Sequence, residues 1–230
     1  MVFSYISHKG LIKTTNQDSI GHKECNNNRI FVVCDGVGGL PKGDLASKTA
    51  VKSILKTFKN NNSHTIQSRL QNCMHSAQES VKKVDSDKIG TTVAACIIEA
   101  NNVHASWCGD SRIYHLRKNR VMWISKDHNV LHDILNKGKV NKKILKHSQS
   151  LNRFFGLNTK NLSEYHSFNT LKRDKILICS DGLTNFISEK KIIDFITNNS
   201  PQNASNLLMD QLLSSQIGAP DNFSWYIIEI

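Results

Sequence analysis

Apolar and polar positions divide the chain into alternating blocks of strands and helices. The run Ile30–Cys34 is apolar and β-branched, which is typical of a buried strand. Two stretches with helical apolar spacing follow it, then short strands joined by turns, the buried strand Lys175–Cys179, two more helices and a last strand from Phe223. Because strands and helix pairs alternate as blocks, the sequence predicts an α+β fold over a single domain, 1–230, rather than repeated βαβ units.

Element boundaries and strand pairing follow from capping and turn signals. Asp44 precedes the first helical stretch and is predicted to be its N-cap. Turn signals such as Asn101-Asn102 separate the short strands of Thr91–Ile124, and this meander predicts an antiparallel sheet. Asp127 is predicted to cap a further short helix that extends through Leu135.

The composition of the chain excludes several classes of protein. No apolar run approaches the length of a membrane span, and the N-terminus is too polar for a signal peptide. The six cysteines lie far apart, and most of them stand in or beside apolar runs, as buried reduced thiols do. The sequence therefore predicts a cytoplasmic protein with no membrane contact.

The formal net charge of +11 suggests nucleic-acid binding as one alternative. However, the lysines are interleaved with asparagine and serine along the whole chain, which favours solvated faces and predicts no nucleic acid partner. One local excess stands out, because the stretch 137–163 holds seven lysines and arginines and no acidic residue.

Aspartates occupy comparable places in this pattern. Asp35 and Asp181 end apolar strands and precede glycine. Asp110 lies in a Gly-Asp-Ser turn, Asp221 begins the final strand, and Asp18 lies in a polar loop. An Asp-Gly pair between apolar runs is also a common hairpin signal, so each aspartate taken alone fits a turn or a cap.

If the strands are neighbours in packed sheets, their ends could bring these carboxylates together. A cluster of like charges would need protonation or cations. All-oxygen ligands without histidine or cysteine favour magnesium or manganese over zinc. Two such ions can generate a hydroxide near neutral pH and hold a phosphoryl group during in-line attack, with Lys13 as a cation for the phosphate oxygens.

The order of these motifs resembles that of the metal-dependent type 2C (PPM) protein serine/threonine phosphatases of bacterial type. The resemblance covers nearly the whole chain. A single Asp-Gly pair carries little weight, but seven motifs in register are a specific signal. The matching stretches are Gly10–Asp18, Val33–Gly39, Gly90–Thr92, Gly109–Arg112, Asp127–His128, Cys179–Leu183 and Asp221–Ser224.

The resemblance implies a β-sandwich of two antiparallel sheets flanked by helix pairs (αββα), with two Mn²⁺ or Mg²⁺ ions at one edge. Asp35 would bridge the ions, and the Gly36 carbonyl would bind the second one. Asp181 and Asp221 would hold the first, and Asp18 would act partly through metal-bound water. A hydroxide between the metals would attack phosphorus directly, without a phospho-enzyme intermediate.

Asp110 matches the family's ligand for a third ion, and Lys13 and Asp18 are the candidate catalytic residues. The resemblance further implies a monomeric signalling enzyme that hydrolyses phosphoserine and phosphothreonine in proteins and opposes a cognate kinase. The segment 137–150 falls where bacterial members carry a mobile flap, and its basic charge would suit acidic phosphoproteins.

Three positions depart from the family pattern. Lys13 stands where arginine is usual, so it offers a point charge instead of a bidentate fork. Gln17 stands where glutamate is frequent in the family, and Val37 stands where animal members have a histidine. Without that histidine, metal-bound water is the candidate proton donor; His128 and His132 are further candidates that no other feature of the sequence supports. Lys13 and Gln17 keep open the alternative of a catalytically weak or inactive metal-binding relative that docks phosphoproteins.

Overall fold

The computed structural model describes residues 1–40, 42–60, 63, 65–84, 89–129, 151–158, 163–214 and 216–230. Within these residues ten strands form two five-stranded sheets, and five helices accompany them. The strands are β1 (Val2–His8), β2 (Ser19–Cys25), β3 (Asn28–Cys34), β4 (Val93–Glu99), β5 (Asn102–Cys108), β6 (Arg112–Arg117), β7 (Arg120–Ile124), β8 (Glu164–Asn169), β9 (Lys175–Cys179) and β10 (Phe223–Glu229). The helices are α1 (Gly43–Asn60), α2 (Ile66–Lys82), α3 (Asp181–Thr184), α4 (Glu189–Asn198) and α5 (Pro201–Leu213).

The two sheets are antiparallel throughout and pack face to face. One has the strand order β1-β10-β9-β6-β7 and the other β2-β3-β4-β5-β8. Helices α1 and α2 cover the outer face of the second sheet, and α3, α4 and α5 cover the outer face of the first. The predicted sandwich of two antiparallel sheets flanked by helices is confirmed.

Strands in the middle of this arrangement are apolar on both faces because each face is covered. In β9, Ile176 and Ile178 point into the space between the sheets. Leu177 and Cys179 of the same strand pack against the helices instead. All four side chains are fully buried, and this explains why the strand reads as a continuous apolar run rather than an alternating one.

The structure corrects the predicted pairing and one cap. The meander over Thr91–Ile124 is divided between the sheets, since β4 and β5 belong to one and β6 and β7 to the other. Turn residues report that the chain reverses, but not which sheet it enters next. Asp44 is not the N-cap of α1, because the helix already includes Gly43; its carboxylate instead lies 3.0 Å from Lys48 one turn on.

The apolar pattern of the sequence does not indicate β2 and β8, the two edge strands of one sheet. An edge strand has one neighbour instead of two, and both are largely half-exposed and carry many polar residues, so their apolar alternation is weak. The basic segment 137–150, His132 and the residues from 130 on that Asp127 was expected to cap lie outside the described residues. None of the helices that the structure describes is both long and apolar enough to cross a membrane.

Candidate metal centre

Three aspartates predicted from separate strands line one cavity of about 470 Å³ at an edge of the sandwich. Asp35 directly follows β3, Asp110 lies in the turn between β5 and β6, and Asp181 begins α3 directly after Ser180. Gly36 and Thr92 line the same cavity. The fold therefore brings together carboxylates that are far apart along the chain.

Asp35 lies at the centre of the acidic contacts. Its carboxyl group lies close enough to those of Asp18 and Asp181 for each to shift the pKa of the other, and a proton shared among them would relieve their repulsion. Burial, and then the negative charges of Asp18 and Asp181, raise the pKa of Asp35 well above its usual value. Deprotonation of Asp35 is therefore strongly disfavoured when no cation is bound.

Asp18 lies just outside the cavity and is almost completely buried. The Ser180 hydroxyl donates to its Oδ2 at 2.8 Å, whereas Oδ1 has no hydrogen-bond partner among the described residues. Burial raises the pKa of Asp18 to about 6, although hydrogen bonds from Ser180 and Ser224 act in the opposite direction. A buried carboxylate oxygen without a partner is costly, and a cation is one way to satisfy it.

Asp110 is the third acidic group in the cavity. Burial, followed by the charges of Asp181 and Asp127, raises its pKa to about 7. Arg112 is close in sequence, but its guanidinium makes a bidentate contact with Asp127, at 2.8 and 2.7 Å. Arg112 is thus largely committed to Asp127 and offsets the charge of Asp110 only weakly.

His128, a candidate proton donor, supports the turn that carries Asp110. Its Nδ1 accepts the Gly109 N–H at 3.2 Å, and its Nε2 lies 3.1 Å from a carboxylate oxygen of Glu164. Both ring nitrogens are therefore engaged, and His128 is not among the described residues that line the cavity. Its position favours a structural role over proton donation.

Lys13 and Asp221 form an ion pair at the rim of the site. The Lys13 Nζ lies 2.9 Å from the Asp221 carboxylate, and both side chains are partly exposed. The hydrogen bond to Asp221 raises the pKa of Lys13, and the charges of Asp35 and Asp181 act in the same direction. Lys13 is therefore held close to the acidic cluster by electrostatic attraction.

Asn222 and Thr92 hold the backbone of the site, and neither was predicted from the sequence to have a role there. Asn222 accepts the Gln17 N–H and donates to the carbonyl groups of Lys9 and Thr15, which fixes the loop that carries Lys13. Thr92 accepts the Asp35 N–H through its hydroxyl at 3.0 Å. Only their positions in the sequence could have pointed to them, since Asn222 directly follows Asp221 and Thr92 lies in one of the matched motifs.

The family model described as protein phosphatase 2C matches residues 11–215. The chain belongs to the protein phosphatase 2C family. A Mycoplasma genitalium protein named as a candidate protein phosphatase is 30% identical over 217 residues, 85% of this chain and 83% of the relative. Serine/threonine phosphatase stp of Listeria welshimeri is 27% identical over 235 residues, 96% of this chain and 92% of the relative.

A solved structure of the catalytic domain of the serine/threonine protein phosphatase PstP, in complex with two manganese ions, has the same fold. It superposes with a TM-score of 0.82 at 20% identity, over 99% of this chain and 97% of that one. Membership of the type 2C family and its sandwich fold are thus confirmed for this chain.

The contacts at Gly36 show how closely this family member packs its site against α1. A Cβ atom on Gly36 would lie 2.5 Å from the Gly43 backbone, so only glycine fits where the loop meets the helix. The Gly36 N–H donates to the Gln17 carbonyl at 3.2 Å. Gln17, which departs from the family pattern, therefore contributes its backbone to the loop after β3.

The acidic side chains contact one another in pairs. Among the described residues, no group of three or more His, Cys, Asp or Glu side chains is already arranged around one point as metal ligands would be. A proton shared through Asp35 is one solution to the repulsion of buried carboxylates, and divalent cations are the other. Only oxygen atoms are offered by the predicted ligands, so hard cations match the chemistry of this donor set.

Proposed function

We propose that this protein is a Mn²⁺- or Mg²⁺-dependent phosphatase that hydrolyses phosphoserine and phosphothreonine in proteins. The observation that carries the proposal is the gathering of one buried and three half-buried carboxylates, those of Asp18, Asp35, Asp110 and Asp181, whose pKa values are raised by desolvation and mutual repulsion. A fold does not keep so unfavourable a cluster for stability, so its use as a cation site is the simplest physical account. Its relatives named as serine/threonine phosphatases support the same function.

The oxygen donors of the residues present match the chemistry of hard cations. The unpartnered Oδ1 of Asp18 and the neighbouring carboxylates of Asp35 and Asp181 offer oxygen atoms that cations would satisfy. We assign Asp35, Asp181 and Asp221 as principal ligands, and the Gly36 carbonyl, Asp18 and, for a third ion, Asp110 as further ones. Bound there, the cations would supply Lewis acidity and activate water for attack on the phosphoryl group.

The remaining side chains would bind and orient the substrate. Lys13 can exchange its contact with Asp221 for a phosphoryl oxygen, because both partners are partly exposed at the rim. Thr92 and Asn222 would keep Asp35 and the Lys13 loop in place through the hydrogen bonds described above. Such fixed geometry matters because phosphoryl transfer depends mainly on positioning and charge stabilisation.

The partners follow from the proposed reaction. Phosphorylated proteins would be the substrates, a serine/threonine kinase would supply them, and the enzyme would act as a monomer in the cytoplasm. The alternative of an inactive relative that only docks phosphoproteins is less well supported, since the relatives are named as phosphatases.

Hydrolysis of p-nitrophenyl phosphate with Mn²⁺ tests the proposal. We expect activity that EDTA removes and Mn²⁺ restores, and a loss of more than about 100-fold in Asp35→Asn. Asp44→Asn, which removes an exposed carboxylate paired with Lys48, is the matched control and should retain activity. Activity indifferent to EDTA, or unchanged in Asp35→Asn, would contradict the proposal.

A further inference from the structure

The cavity that holds the carboxylates is also lined by apolar side chains. These side chains share one lining with Asp35, Asp110 and Asp181. All of these apolar side chains are half-buried, so each leaves hydrophobic surface open to the cavity. We call them the apolar wall: Val37, Leu40, Leu151 and Phe154.

Backbone hydrogen bonds fix the apolar wall to the core of the sandwich. The Val37 N–H donates to the Gly90 carbonyl at 2.9 Å, and the Leu40 N–H donates to the Val37 carbonyl at 3.3 Å. Phe155, which follows Phe154, is buried and exchanges two hydrogen bonds with Thr91, at 3.0 and 2.8 Å. The wall is therefore held in place before any substrate binds.

Gly90 allows two members of the wall to pack over the backbone. A Cβ atom at Gly90 would lie 2.6 Å from the Phe154 ring and 3.0 Å from a Leu40 methyl group. Both side chains therefore rest directly on Gly90, close to the strand that begins at Val93. This packing places the side chains of Leu40 and Phe154 over the same backbone position, within the lining that also holds the carboxylates.

We propose that the apolar wall selects protein substrates in which an apolar residue is adjacent to the phosphorylated serine or threonine. This inference rests on the proposed function, which places the phosphoryl group at the carboxylates. The apolar wall lines the same cavity, and consecutive Cα atoms are about 3.8 Å apart, so a neighbour of the phosphorylated residue would enter this cavity together with it. An apolar side chain docked there would cover the half-exposed surfaces of Leu40 and Phe154.

The charges in the cavity argue against selection of acidic neighbours. Of the described residues that line it, none is a lysine or an arginine. Lys13 lies outside this lining, paired with Asp221. An acidic residue beside the phosphorylated one would lose hydration against the apolar wall, and no described lysine or arginine of the lining would pair with it.

Three phosphothreonine peptides that differ only in the two residues flanking phosphothreonine test the inference, with leucine, glycine or aspartate on both sides. With the full chain and Mn²⁺, we expect kcat/KM for the leucine peptide to exceed that of the other two by at least about tenfold. Equal values for leucine and glycine, or a preference for aspartate, would overturn the inference.

Variants of the wall locate the contact. Leu40→Ser should reduce the preference for leucine over glycine to within about threefold, and Leu40→Met should restore it, because methionine is apolar and of similar size. Leu171→Ser is the matched control, since Leu171 is 60% exposed and lies away from the cavity lining. An undiminished preference for the leucine peptide in Leu40→Ser would overturn the inference. Partial unfolding of a variant does not affect this test, because the ratio of kcat/KM between two peptides is independent of the fraction of folded enzyme.

Binding of non-hydrolysable peptides separates this inference from the proposed function. The phosphonate analogues of the leucine and glycine peptides cannot be hydrolysed, so calorimetry measures their Kd whether or not the protein is a phosphatase. We expect the leucine analogue to bind at least about tenfold more tightly to the native protein and about equally in Leu40→Ser. Discrimination in binding without any hydrolysis would refute the proposed function alone, whereas equal Kd values for the native protein would refute the inference.

Discussion

Replacing Asp18 by asparagine should make the metal-free protein more stable, although it removes a candidate ligand. Burial raises the pKa of Asp18 from 3.8 to about 6, so the folded protein pays a penalty for deprotonating this group. The penalty is absent below pH 3.8, grows as the pH rises towards 6 and is constant above that. Asparagine is neutral at every pH and avoids it.

The size of the effect follows from the pKa shift. A shift of about two units corresponds to about 3 kcal/mol above pH 6, an upper value because the carboxyl groups of Asp18 and Asp35 influence each other's pKa. Asparagine can keep the acceptor that bonds the Ser180 hydroxyl, and its amide nitrogen would occupy the place of the unpartnered Oδ1. For a chain of this length, each kcal/mol changes Tm by about 2–4 °C, so a rise of up to about ten degrees is expected.

Thermal unfolding in EDTA at pH 7.5 and pH 5 measures the effect. Asp18→Asn should melt above the native protein at pH 7.5, with a smaller difference at pH 5, and Mn²⁺ should reverse the order because the native site binds the ion more tightly. Asp44→Asn is the control, since Lys48 lowers the pKa of Asp44 and its removal should bring no gain. A Tm of Asp18→Asn in EDTA at or below the native value at pH 7.5 would refute the electrostatic reasoning.

Three further variants test other contacts of the site. Lys13→Arg should raise kcat/KM for p-nitrophenyl phosphate by about two- to tenfold, because arginine can make a bidentate contact with the phosphoryl group, and Lys13→Met should lower it. The opposite order in steady-state assays would contradict a role of Lys13 in phosphate binding. Asn222→Ala removes the acceptor of the Gln17 N–H, so it should lower the free energy of unfolding in urea by about 1–3 kcal/mol and also reduce activity. An unchanged urea midpoint would argue against Asn222 as the anchor of the loop. Gly36→Ala places a methyl group 2.5 Å from the Gly43 backbone and should destabilise the protein by about 1–3 kcal/mol, whereas native stability in the same assay would mean that the loop can move away.

Local patterns were sufficient for the elements that are buried on both faces. The apolar runs of β3 and β9 indicated strands because β-branched residues without polar alternation need cover on each side. Helices α1 and α2 were equally clear from their apolar spacing. By contrast, β2 and β8 were missed because an edge strand needs little apolar surface. Local patterns also did not indicate which sheet each hairpin joins, because tertiary packing decides it.

For the site, the sequence showed which residue types carry the chemistry, since five aspartates stand at strand ends or in loops in the order of a known family. It could not show that the carboxyl groups of Asp35, Asp18 and Asp181 lie close enough to shift one another's pKa values, or that Lys13 pairs with Asp221. Nor could it show the apolar wall, whose members come from two separate segments.

The sequence by itself determined the class of fold, the buried strands and the chemical nature of the candidate site, because each follows from residues close together along the chain. Only the tertiary structure decided which charges meet. The Ser180 hydroxyl reaches Asp18 across 162 residues of sequence, and such a contact depends on how two sheets pack. Burial, and with it the raised pKa values, exists only once those sheets and their helices have assembled around the carboxylates.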